Sequence, residues 1–89
     1  MSTQTEELLE TALVADLEKN IVVFNDDVNT FDHVIQTFVD VLGHQVHQAE
    51  QCALIIHTKG KCSVKSGGYD ALEPLCTNIL ERGISAEIH

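Results

Sequence analysis

Basic residues are scarce in this chain: 5 Lys or Arg stand against 14 Asp or Glu among 89 residues, for a formal net charge of −9. Lys19, Lys59, Lys61, Lys65 and Arg82 are scattered rather than clustered. Phosphate backbones are bound by clusters of cationic side chains that displace counterions, so this composition argues against nucleic acid as a partner. Anionic lipid would be repelled for the same reason, and cationic or amine-bearing partners favoured. Paired cysteines are missing too. Cys52, Cys62 and Cys76 are widely spaced and form no C-x-x-C pair, a usage that suits a reducing compartment in which thiols act as small core hydrophobes. The opening MSTQTEELLE carries acid where a secretory signal carries base, and no long apolar run follows. A cytoplasmic protein without a membrane partner is expected. Gly67-Gly68 lacks the Lys and Ser/Thr of a phosphate loop, and there is no internal repeat or low-complexity stretch.

What is present fits one small globular domain. Apolar residues make up 44% of the chain, enough for a modest core but not for a deep, multi-part active site. Residues 1–19 read as a mobile acidic extension, with Leu8, Leu9, Ala12, Leu13 and Leu17 at loosely helical spacing, and residues 20–89 as the domain. Ile21-Val22-Val23-Phe24 is a short buried strand, ended by the turn-forming cluster Asn25-Asp26-Asp27-Val28-Asn29. Thr30 is a good N-cap for a helix whose apolar face is Phe31, Val34, Ile35, Phe38, Val39 and Leu42, with Gly43 as the stop.

A second helix spans about 46–57 on Val46, Ala49, Ala53 and Ile56, widened by Cys52, Leu54 and Ile55, and Gly60 ends it. Residues 61–65 read as a strand with Cys62 and Val64 on one face, and Ser66-Gly67-Gly68 as a loop. Leu72, Leu75, Cys76, Ile79 and Leu80 mark a third helix closed by Gly83. Pro74 should make that helix start late or bend, since proline has no N–H to donate. Ile84, Ala86 and Ile88 alternate as a last strand. The order β-α-α-β-α-β gives an α+β fold, a three-stranded antiparallel sheet packed against three helices.

The chemistry concentrates at the corner between the first strand and first helix. Two carboxylates and two amides there present acceptors to a donor-only group such as an ammonium. A peptide α-amino group, with a pKa of about 7.7–8, is largely charged near neutrality. Beside the corner, Val28, Phe31 and Val34 offer an apolar wall, and a polar clamp next to an apolar pocket suits capture of a peptide amino terminus. The same residues also fit an Asx-rich turn with a helix cap, which needs no ligand. Asn25, Asp27 and Asn29 alternate as in a calcium loop, but Thr30 replaces its glycine and Gln36 its closing Glu. His44 and His47 lack a third metal ligand and read as a solvated segment between helices. His33 falls on the polar face of its helix. His57 stands at the end of the second helix, either as a cap or as an acceptor for an amine. A Cys52–His57 or Cys62–His57 nucleophile pair conflicts with the apolar stripes that hold the cysteines. Neither an enzyme nor a cofactor or metal is expected.

The segment IVVFNDDVNTFDHVIQTFVDVLG followed by QAEQCALIIHTKGK resembles the ClpS family of bacterial adaptors for the Clp protease. The resemblance rests on an Asn-Asp-Asp triplet after an aliphatic strand, a Thr-aromatic helix start, and an apolar-His-x-x-Gly-Lys ending. It covers residues 20–61 well and the rest in outline. It implies the same three-strand, three-helix fold and a monomeric adaptor that recognises N-degrons, meaning a free amino terminus followed by Leu, Phe, Tyr or Trp. Carried over, Asn25 and His57 would bond the amine, Asp27 would do so directly or through water, and Asp26 would support the clamp. Val23, Val28, Asn29, Thr30, Phe31, Val34, Ala53 and Ile56 would form the side-chain pocket. Cargo would pass to a ClpA-type AAA+ unfoldase; a domain that docks on a partner without reading amino termini is the alternative. Phe31 and Ala53 stand where the family often has Met. In the third helix Asp70 and Glu73 are the acids nearest the family's docking surface, and Leu75 stands where a Lys is expected.

Overall fold

A computed structural model of the chain describes residues 18–89. The elements are β1 (Glu18–Phe24), α1 (Phe31–Leu42), α2 (Val46–Lys59), β2 (Lys61–Gly68), α3 (Tyr69–Glu81) and β3 (Ala86–Ile88). The order and the α+β architecture are those expected. β1 is the central strand of an antiparallel sheet with the order β2-β1-β3. Alternation along β1 buries Ile21 and Val23, and the helices cover that face. Phe38 and Leu42 of α1, Ala49 and Ile56 of α2, and Leu72, Cys76 and Ile79 of α3 meet them in one core, with Val64 and Ala86 from the outer strands. The expected extension, with its leucine spacing, lies outside the described residues apart from Glu18 and Lys19. Among the described residues no helix is long and apolar enough to cross a membrane.

Two expectations are corrected. Ser66, Gly67 and Gly68 are not a loop but the end of β2. They pair with Asn20, Lys19 and Glu18, so β1 begins three residues before its apolar run. The Asn20 side-chain oxygen fastens this polar stretch, accepting from Ser63 Oγ at 3.1 Å and Ser66 Oγ at 2.6 Å. Strand pairing here depends on a long-range polar contact that hydrophobic alternation does not register. α3, expected to start late or bend at Pro74, does not start late: it begins at Tyr69 and runs through Pro74. The turn before the proline carries Leu72, which is 1% exposed. Burying one Leu side chain is worth about 1.5–3 kcal/mol, comparable with the roughly 3 kcal/mol a helical proline costs.

The stretch between α1 and α2 is also not solvated throughout. Gly43 adopts the left-handed conformation (φ 70°), and its N–H caps the Phe38 carbonyl. This turns His44 inward. Its ring lies 5.6 Å from that of Phe38, and Nε2 donates to the Val64 carbonyl at 2.8 Å, which fixes the proton on Nε2. Nδ1 is buried without a hydrogen-bond partner among the described residues. Exposed His47 takes no part. His44→Ala should leave the Val64 carbonyl unpaired and lower stability by about 1–3 kcal/mol. His44→Gln, which keeps a donor of similar reach, should recover part of that loss in urea denaturation.

Candidate functional site

The corner after β1 is organised by one carboxylate. Asp26 Oδ1 accepts from the backbone N–H of Val28 at 3.2 Å and of Asn29 at 3.1 Å, and both its oxygens take the Asn29 amide, at 2.8 and 3.0 Å. Burial pushes the Asp26 carboxyl up, but hydrogen bonds from the Asn29 side chain and from the Asn29, Val28 and Ser85 backbones outweigh it and hold the group below its ordinary value. Asn29 Nδ2 also donates to the Gly83 carbonyl at 2.8 Å, which ties the corner to the turn after α3. Thr30 caps α1 by accepting from the His33 N–H at 3.1 Å. On the far side of α1, His33 Nε2 donates to the Arg82 carbonyl at 2.9 Å, and Arg82 pairs with Asp40 at 3.1 Å. The start of α1 is thus held between the corner and the end of α3.

A further bond joins the corner to α2. The Asn25 N–H donates to the Gly60 carbonyl at 2.8 Å, just past the last turn of α2, where His57 lies. Asn25 and His57 therefore share the rim of one cleft of about 260 Å³. Val23, Asn25, Asp26, Asn29, Phe31, Val34, Ala53, Ile56 and His57 all line it. Asp27, Val28 and Thr30 do not; Asp27 is exposed at the corner and Val28 is 87% exposed. Val23 and Ala53 are buried in the cleft wall, while Phe31 is 44% exposed at its mouth.

Two lining residues stand outside the side-chain pocket expected from the resemblance, Phe24, which opens the candidate corner itself, and Ile84. Phe24 ends β1 directly before Asn25, so adjacency to the corner was an available signal. Ile84 had none. It arrives because β3 pairs with β1, the Phe24 N–H donating to the Ser85 carbonyl at 3.0 Å, and strand order is not encoded in local periodicity.

The chemistry available is recognition by a polar rim above an apolar interior. The rim sits at the C-terminal end of α2, the negative end of a helix dipole, which favours a cation. Burial pushes the Cys52 thiol up to about 11, with neighbouring Cys62 adding to the effect. Cys52 is thus no thiolate near neutrality, and neither cysteine lines the cleft that holds His57. Among the described residues no group of three or more His, Cys, Asp or Glu could share a metal ion.

Residues 16–87 match the family described as ATP-dependent Clp protease adaptor protein ClpS. The chain belongs to the ClpS family. Among its relatives, the ATP-dependent Clp protease adapter protein ClpS of Corynebacterium diphtheriae is 32% identical over 72 residues, 81% of this chain and 64% of that protein. The corresponding adapter of Corynebacterium jeikeium is 32% identical over 68 residues, 76% of this chain and 67% of that protein. That of Corynebacterium aurimucosum is 36% identical over 52 residues, 58% of this chain and 47% of that protein. The chain thus spans about half to two thirds of the length of these relatives. The family match runs from before β1 into β3 and includes every residue of the cleft.

Proposed function

We propose that this member of the ClpS family is a cytoplasmic bacterial adaptor that captures polypeptides by a free amino terminus and a bulky hydrophobic first side chain. It then hands them to a ClpA-type AAA+ unfoldase of the Clp protease. The observation that carries the reading is the meeting of Asn25 and His57 on one rim above Val23, Phe31, Val34, Ala53 and Ile56. The cleft, at about 260 Å³, falls below the roughly 300–1,000 Å³ of pockets for drug-sized ligands, a scale that suits one side chain. The Asn25 side-chain oxygen and a ring nitrogen of His57 accept two ammonium protons, and Asp27 accepts the third directly or through a water. Asp26, already occupied by the corner, holds these groups in place. The net charge of −9 and the α2 terminus both favour a cationic occupant. Asp70 and Glu73, exposed on the first turns of α3, are available for docking on the unfoldase.

The test is degradation of a fluorescent reporter by a purified Clp unfoldase–protease, with the reporter's mature first residue either Phe or Gly. Added protein should accelerate loss of the Phe-first reporter several-fold and leave the Gly-first one unchanged. Equal acceleration of both would instead mark a docking module that does not read amino termini.

A further inference from the structure

Aromatic residues are few, 3 Phe and 1 Tyr with no Trp, yet Phe24 and Phe31 both line this cleft. Phe31 is the more telling. It opens α1, and the ring remains 44% exposed at the mouth of the cleft although Phe38, two turns on, is wholly buried. A large apolar ring left open beside an apolar cavity marks a contact surface for an occupant. The rest of the apolar lining adds stiffness. Val23, Val34, Ile56 and Ile84 are β-branched, with χ1 largely fixed, and Ala53 has no rotamer to adjust. Among the described residues the lining contains no methionine, the side chain that lets a pocket reshape around different occupants. Such a pocket discriminates by its fixed surface, and its half-open portion is an aromatic ring.

We propose that the cleft selects an aromatic first residue over an aliphatic one, with Phe31 as the residue that determines the preference through a ring-to-ring contact. The inference rests on the amino-terminus reading above and narrows it. Two rings in offset or edge-to-face contact gain more than the area they bury, because the positive edge of one meets the negative face of the other. A saturated ring buries comparable apolar surface without that gain, so burial alone gives no reason for an aromatic ring to win.

The experiment is competition anisotropy with three free-amine peptides that differ only at the first residue: Phe, cyclohexylalanine or Leu. The Phe-first peptide should bind roughly 3- to 10-fold more tightly than the cyclohexylalanine-first one, and more tightly than the Leu-first one. Phe31→Leu should bring Phe and cyclohexylalanine to parity. Equal affinities for these two peptides in the unsubstituted protein would overturn the aromatic preference and leave amine capture standing. A preference that survives Phe31→Leu would overturn the role given to Phe31. Failure of all three peptides to bind would overturn both the preference and the reading on which it rests.

Discussion

Asp26→Ala is expected to lose about 1–3 kcal/mol of folding stability and to bind a Phe-first peptide at least about tenfold more weakly. Asp26 makes no claim on the ligand itself. It accepts the Val28 and Asn29 backbone N–H groups and the Asn29 amide, and Asn29 in turn reaches the Gly83 carbonyl. Without the carboxylate these donors lose their acceptor and the corner carrying Asn25 loosens. Binding must then fix side chains that are now pre-set, each at about 0.5–1.5 kcal/mol. Acid gives a second signature. Because the folded carboxyl lies below its ordinary value of 3.8, the unfolded chain binds the proton more readily. The stability Asp26 contributes is therefore complete above that ordinary value and is lost as pH falls through the lower folded one. Urea denaturation as a function of pH should show the unsubstituted protein and Asp26→Ala well separated at neutrality and converging below pH 3.8. A constant gap across that range would mean that the carboxylate does not hold the corner in the way described.

Ala53→Phe is expected to weaken peptide binding by about 10- to 100-fold, the equivalent of denying burial to one bulky side chain, while thermal stability changes little. Ala53 is only 3% exposed and lines the cleft from α2, so a larger side chain extends into the space an occupant would take. The cleft opens to solvent, so the added ring can turn outward without straining the core. Thermal melts and anisotropy on the same preparation separate the two effects. A variant that melts normally and binds normally would place the occupant elsewhere.

Much of this fold was legible in sequence because its signals are local. The 3.6-residue spacing from Phe31 to Leu42, with Thr30 before it and Gly43 after it, defined α1 at both ends. Gly60 did the same for the end of α2, although Val46, Leu54 and Ile55, included in its apolar stripe, are exposed. What escaped depends on distant partners. The Ser66-Gly67-Gly68 stretch is a strand only because residues 18–20 lie beside it, and α3 extends back past Pro74 because Leu72 finds the core. His44 looked like a solvated residue because nothing nearby in sequence predicts the Val64 carbonyl as its partner. The corner behaves similarly. Its Asx-rich turn was evident, yet that reading and a ligand clamp use the same residues. The β1–β2 pairing that reaches Phe24 and Lys61, continued by the Asn25–Gly60 bond across 35 positions, brings the corner to His57, and strand order brings in Ile84.

Amine capture is tested most directly by calorimetric titration with one Phe-first peptide, its amino terminus either free or acetylated. Acetylation removes the charge and blocks the ammonium donors while leaving the side chain intact. Hydrogen bonds to a charged group are worth about 1.5–3 kcal/mol each. Losing those to Asn25 and His57 should therefore weaken binding by about 100-fold or more. Equal affinity for the two peptides would contradict the account, leaving the cleft as an apolar surface that does not read amino termini.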